Sequence, residues 1–488
     1  MSDATLPVCA TAPLPHLLGR VWPDSGHTVP TRSLGLAGLA GVTAGGVLPN
    51  AAPGLGLLAV GVLVAAAAVP SAAGQLGIHR LAYGSLAALL LAVVVVRDAG
   101  WVVSLCLLAT VALSSYALSG GRTVLGVLLA VTSLPVAALR ALPWTGRGVR
   151  ALLPSDGRAW GPPLRAVAAS VGLLAVFGAL FASADAVFAS LLPEVDLGGL
   201  PPRMVIFAVF TATALSASYL ATSPPRWDVL APGPARPVRP LEWIAPIAGL
   251  VALFAIFVGV QLTVMLAGDD YVLRTAGLTH AEHARSGFGQ LVAVTLLTLA
   301  VVGAALRWAP RESAGDRRVL RSLLGALCVL TLAVVATALH RLHLYEEAFG
   351  FTRLRLFMNV FESWLGVLVV LVLTSVVLLR SSWLPRAVVA TAATALLSLA
   401  TISPDGFVAD RNVTRFEATG KVDLAYLQGL SADAVPALDR LPEPLRSCAL
   451  RGIAIPEDGG LAGWNLGRDR ARSLLAAHPV APTSTCAR

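Results

Sequence analysis

The chain has 488 residues, of which 56% are hydrophobic and 13% charged, and its mean hydropathy is +0.77; no soluble enzyme of this length needs such a balance. The formal net charge of +9 does not point to nucleic acid, because the arginines stand in connectors between apolar runs rather than on one basic face; lipid headgroups are the expected partners. Of 36 basic residues only Lys421 is lysine, and the apolar mass is mostly Ala, Leu and Val, a bias expected of a high-GC bacterium.

Residues 1–33 are polar and proline-rich, without a basic stretch leading into an apolar one and a small-residue cleavage site, so no removable signal peptide is expected. Twelve apolar runs follow, at 34–48, 53–69, 81–96, 101–119, 124–139, 164–183, 204–221, 243–267, 288–306, 320–339, 356–379 and 383–402. A spanning helix wants roughly 20 apolar residues. The first, third and fifth runs are short, so eleven to thirteen spans are compatible with the pattern. The fold class is therefore all-α, a polytopic transmembrane helix bundle. It divides into a polar segment (1–33), amino-terminal spans (34–139), a basic loop (140–163), a membrane core (164–402) and a tail (403–488).

Orientation follows the arginines. The connector 140–165 carries Arg140, Arg147, Arg150, Arg158 and Arg165, and 307–321 carries Arg307, Arg311, Arg317, Arg318 and Arg321; both should be cytoplasmic. The connector with Asp185, Glu194 and Asp196 then faces out, as does everything after residue 402. Twelve spans put the amino terminus outside too, against a weak inside preference from Arg20 and Arg32. Connectors 268–287 and 340–355 should also be outside, yet they hold Arg274, Arg285, Arg341, Arg353 and Arg355. Charges against the topological preference indicate a structural or functional requirement.

Those two connectors contain GLTHAEHARSGFGQL (277–291) and HRLHLYEEAFGFTRLRL (340–356); further runs are FASADAVF (181–188), SPDGFVADRNVTRFEATGKVDLAYLQGLSADAVPAL (403–438) and WNLGRDRAR (464–472). Together, from about the fifth span to the end, they resemble the domain-of-unknown-function 4153/4173 membrane proteins. The resemblance implies a multi-pass bacterial membrane protein and assigns no activity. Where that family shows tyrosines, this chain has His280 and His283, and His340 and His343 depart similarly.

The four histidines are spaced i, i+3 in two pairs, a spacing that could serve a metal site completed by Glu282, Glu346 or Glu347; interfacial histidines need no metal, and none is expected. Arg355, Asn359 and Glu362 lie at i, i+4 and i+7, on one helix face. Counted from Phe351, Glu362 lies ~16 Å along a helix, near the bilayer midplane, where burying a carboxylate costs at least a few kcal/mol. It serves either a proton- or ion-coupled site or interhelical bonding, neutralised by Arg355 and Asn359. Gln261 and Gln290 join the same network, Glu282 pairs with Arg285, and Asp185 closes a span. With Arg341, Tyr345 and Arg353 they make one outer-facing candidate polar cluster; Tyr271 and Tyr345 fit interfacial positions.

P-loop, G-x-S-x-G, H-E-x-x-H and G-x-G-x-x-G signatures are missing, no soluble stretch is long enough for a sensor-kinase domain, and no cofactor is expected. In the tail, 424–430, 432–441 and 466–477 read as short amphipathic helices broken at Pro442, Pro444 and Pro456, with Pro436 weakening the second. Cys448 and Cys486 are the disulfide candidates that would staple it. The expected role is transport or an envelope-associated function at the bacterial cell membrane, with lipids and an envelope protein or lipid-linked ligand as partners. A membrane-embedded enzyme working through Asp185, Glu282 or Glu362, and a structural scaffold, are the alternatives.

Overall fold

The computed structural model describes residues 19–23, 26–72, 77–152, 199–233, 238–267, 288–457 and 459–481, with 166, 169–170, 173–174, 177 and 180–181 between them. Among these residues every regular element is a helix. Nine are long and apolar enough to cross a membrane, and a tenth is counted if Val124–Val131 and Ser133–Leu152 form one broken span. The chain is thus a polytopic helical membrane protein. Backbone groups in hydrocarbon have no water to bond, so each crossing segment closes its own hydrogen bonds as a helix. The apolar run at 34–48 is the helix Thr31–Val47, which is not among the nine, and the run at 164–183 lies mostly outside the described residues.

Contacts divide the chain into two compact units. The first holds α1 (Thr31–Val47), α2 (Leu55–Ala68), α6 (Ser133–Leu152) and α7 (Leu200–Thr222). α7 packs on α1 and α6. Gly41 and Gly45 of α1 lie so close to α7 that a Cβ on either would stand 2.9 Å from the carbonyl oxygen of Phe207 or Arg203, the close approach that small residues permit.

The second unit holds α3 (Ile78–Val96), α4 (Gly100–Ser119) and α5 (Val124–Val131), then α8 (Pro240–Ala267), α9 (Phe288–Trp308), α10 (Ala314–Phe349), α11 (Arg353–Leu378) and α12 (Leu384–Thr401). α10 packs against α8, α9 and α11, and α12 against α11, α3 and α4. α10 runs 36 residues, ~54 Å at about 1.5 Å per residue, well beyond the ~30 Å of hydrocarbon. It starts at a capping box, Ser313 with Asp316, and continues past the apolar run through HRLHLYEEAF until Gly350, at φ +78°, ends it. The polar stretch expected as a connector over 340–355 is therefore mostly helix, and the turn is only 350–352. Thr352 then caps α11, its hydroxyl accepting from Arg355 N.

The tail forms α13 (Pro404–Thr419), α14 (Leu424–Gln428), α15 (Val435–Leu438), α16 (Leu445–Arg451) and α17 (Leu466–Ala477). α17 has the expected bounds. The segment expected as one helix over 432–441 is a short 3₁₀ turn leading into α15, with Pro436 in the first turn, where its missing N–H is harmless. α13 and α16 go beyond the expected helices; α13 follows α12 through Ser403 at φ +56°. Val408, Val413, Leu427, Leu438 and Ala471 form a core that also takes in Leu356 of α11 and Leu399 of α12. The tail is thus seated on the ends of two candidate spans.

Candidate functional site

The polar side chains of α10 and α11 meet where the two helices approach their shared turn. Arg341 donates to Gln261 Oε1 of α8 at 2.8 Å. One turn on, the Arg355 guanidinium lies 4.3 Å from the Tyr345 ring centroid and donates to Gly350 O. Asn359 donates from Nδ2 to Glu346, a residue only 3% exposed. Glu362 is equally buried, at 3%, and its Oε2 has no hydrogen-bond partner. It falls in the buried stripe of α11 that continues through Leu365, Val369 and Val372. The residues that helical spacing sets beside it have turned elsewhere: Asn359 to Glu346, Arg355 to Tyr345 and Gly350. The alternative in which those two neutralise Glu362 is therefore not the geometry observed.

On another face of α11, a groove of about 490 Å³ opens between α11 and α12. Asn359, Ser363, Trp364, Thr391, Thr394 and Ser398 give it a polar line among apolar walls. Trp364 Nε1 donates to Thr391 Oγ1 at 3.3 Å, while Thr391, Thr394 and Ser398 donate to carbonyls of their own helix. Among the described residues no carboxylate lines it.

Arg353, expected in this cluster, belongs instead to a second network at the base of the tail. Its Nε and Nη2 donate to Asp405 Oδ1 and Oδ2 at 2.8 and 2.5 Å, a bidentate pair in which the carboxylate is fully buried. Asp405 also accepts from Trp101 Nε1 at 3.1 Å and Ser431 N at 2.8 Å. Burial pushes its carboxyl up, but the Arg353 bond and charge, with Trp101 and Ser431, outweigh that and hold it below the ordinary range. Tyr426 OH accepts from Arg353 N at 2.7 Å.

Nearby, Asp433 Oδ2 accepts from Asp98 N at 2.9 Å and Ala99 N at 3.1 Å. Burial pushes its carboxyl up to about 6, against the backbone N–H groups of Asp98 and Ala99 and the charge of Arg97; the Asp98 carboxylate adds to the rise. Asp98 in turn accepts from Arg468 Nη1 at 2.7 Å and Ala432 N at 3.2 Å. Asn465 caps α17 by accepting from Arg468 N and donates to Val94 O and Arg97 O, while Arg97 donates to Ala400 O at 2.7 Å. The carbonyl ends of α3 and α12 are thereby satisfied by side chains. Sequence reasoning misses Asp98, Asp405, Asp433, Asn465 and Arg468 as a group. For Asp405, Asn465 and Arg468 the signal lies in the SPDGF and WNLGRDRAR runs, which set charges beside proline, asparagine and glycine.

His340 is exposed, and His343 pairs with Glu347 at 3.2 Å on the open face of α10. Among the described residues no group of His, Cys, Asp and Glu is placed to hold a metal. Gln290 is exposed on α9. Asp185, Tyr271, His280, Glu282, His283 and Arg285 lie outside the described residues. Cys106 and Cys328 are free and buried; Cys448 is disulfide-bonded, and its expected partner Cys486 lies outside the described residues.

A family model, domain of unknown function (DUF4153), matches residues 85–441. No curated protein and no solved structure matches the chain.

Proposed function

The chain belongs to the domain-of-unknown-function family DUF4153, and on that footing we propose that this multi-pass membrane protein is a proton- or cation-coupled transporter of the bacterial cell envelope, with its tail on the extracytoplasmic side. Glu362 carries this reading: a carboxyl group buried in a candidate span, with one oxygen unpartnered, is costly to keep unless a proton or a cation comes to it. Gln261, Arg341, Tyr345, Glu346, Arg355 and Asn359 supply a polar route toward one end of the same helices. The groove between α11 and α12 supports one variant, in which the transported or processed molecule is lipid-linked and enters from the bilayer. An enzyme acting on such a molecule would need a carboxylate on the groove wall, and among the described residues none lines it.

The test is proton flux into sealed vesicles holding the purified protein and a trapped pH dye, under an imposed potential. Wild type should conduct protons, and Glu362→Gln, which keeps shape and removes the charge, should fall to the rate of empty vesicles with unchanged folded yield. Equal flux from wild type and Glu362→Gln, both of protons and of sodium or potassium read with a trapped cation dye in the same vesicles, would remove the reading.

A further inference from the structure

At the end of the α3–α4–α12 bundle away from the tail, two arginines from different helices reach the last residues of α4 and the turn after it, with no carboxylate paired to either among the described residues. Arg386, in the first turn of α12, lies 3.4 Å from His79 Nε2 and donates to Gly121 O at a long 3.5 Å. Arg80, in the first turn of α3, donates to Leu118 O at 3.4 Å, and its Nη1 is buried with no partner. Ser119 Oγ, one residue on, is buried without a partner as well. Tyr83 OH donates to Arg386 O at 2.9 Å and Tyr116 OH to Gly121 O at 3.1 Å, their rings edge to face at 4.8 Å. The aromatics thus fix the frame, with Tyr116 also meeting the Arg386 side chain, and bring no counter-charge to either arginine.

Charge balance is the decisive point. Two guanidiniums carry roughly ten N–H donors between them, and their partners are neutral: carbonyls of Leu118 and Gly121 at the outer limit of hydrogen-bond distance, the His79 ring and the Tyr116 hydroxyl. Asp228, the carboxylate beside Gly121, is already committed: it accepts from Arg122 N at 3.0 Å, Thr123 N at 2.9 Å and Thr123 Oγ1 at 2.8 Å. Arg80, Leu118, Ser119 and Arg386 lie at the ends of candidate membrane spans, where lipid headgroups are expected to meet them.

We infer that Arg80 and Arg386 form a binding site for the phosphate of an anionic phospholipid headgroup, with His79 and Ser119 as further donors. An arginine pair presents the planar, multidentate donor geometry that a phosphodiester takes. The site is independent of Glu362 and of any transport.

The experiment measures binding of phosphatidylglycerol, with phosphatidylcholine as the neutral comparison, to delipidated full-length protein in detergent by native mass spectrometry and thermal shift. Wild type should retain phosphatidylglycerol over phosphatidylcholine and gain thermal stability from it. Arg80→Gln with Arg386→Gln should weaken that preference by roughly tenfold or more per arginine, the scale of one charge-assisted hydrogen bond. Arg380→Gln, at an exposed arginine near the same end, should leave it unchanged. Should the double variant not fold, Arg386→Gln alone carries the test. Equal retention by wild type and variant overturns the proposal, as does loss of the lipid to millimolar inorganic phosphate, which would mark a site for the free oxyanion instead.

Discussion

Arg353 and Asp405, the first residue of a membrane-depth helix and the second residue of a tail helix, are joined by two parallel hydrogen bonds of 2.8 and 2.5 Å around a fully buried carboxylate. Trp101 and Ser431 complete the acceptor's shell, so one side chain ties α4, α11, α13 and the turn before α15 together.

Asp405→Asn should therefore destabilise the protein by about 3 kcal/mol, because it leaves the Arg353 guanidinium without its counter-charge. Limited proteolysis of purified protein reads this as faster cleavage within residues 404–481. Cleavage at the wild-type rate would show that the pair contributes nothing to holding the tail.

The contrast between this pair and the helices marks what the sequence discloses. The apolar runs at 356–379 and 204–221 are readable because lipid requires them to be continuous. The helical extension through Arg341, Tyr345 and Glu346 is not, because a charged run loses the hydropathy signal while keeping good helix formers. Arg353 is 52 residues from Asp405, and Arg468 is 370 from Asp98; no local spacing rule pairs groups so far apart. Helical spacing puts Arg355, Asn359 and Glu362 on one face, yet it cannot tell which neighbour each side chain chooses. Glu362 is identifiable by depth alone, and its isolation only by structure.

Asp433 gives the docked tail a pH dependence with a definite sign. Its carboxyl rises from an ordinary 3.8 to about 6 on folding, so the folded protein holds a proton that the unfolded chain has released. The stabilisation is complete below pH ~4 and is lost as pH rises through about 6, amounting to at most about 3 kcal/mol. Asp405, held low by Arg353, contributes a slope of the opposite sign that is spent as the unfolded carboxyl ionises near pH ~4, so it adds little between pH 5 and pH 7. The thermal midpoint should fall from pH 5 to pH 7 in wild type and flatten in Asp433→Asn. A variant with the wild-type slope would assign the effect to another group.

The α1–α7 contact predicts a sharp difference between neighbouring glycines. At Gly41 a Cβ would meet Thr211 Oγ1 and stand 2.9 Å from Phe207 O, whereas at Gly38 and Gly46 nothing lies within 4 Å. Gly41→Ala should push α1 and α7 apart and lower folded yield, because a backbone oxygen cannot move aside alone. Gly38→Ala and Gly46→Ala should be neutral or raise stability by about 0.5 to 1 kcal/mol through helix propensity. Yield and melting of the three variants in detergent check this. A harmless Gly41→Ala would mean the helices are not so closely packed.

Topology can be tested without counting the whole chain. Glu312 precedes α10 and Ala418 stands at the end of α13, both exposed, and three candidate spans, α10, α11 and α12, lie between them. An odd number of crossings puts the two positions on opposite sides whatever happens upstream. Which side is which follows from Arg307, Arg311, Arg317, Arg318 and Arg321 around Glu312, a cluster expected to stay cytoplasmic. Ser431 is a poor reporter in the tail because its hydroxyl is buried, so Ala418→Cys is preferred. In a background lacking the native cysteines Cys9, Cys106 and Cys328, Ala418→Cys should react with an impermeant maleimide in intact cells, and Glu312→Cys only after lysis. Labelling of both in intact cells would mean that one of the three helices does not cross, and the reverse pattern would invert the protein while leaving the three crossings in place.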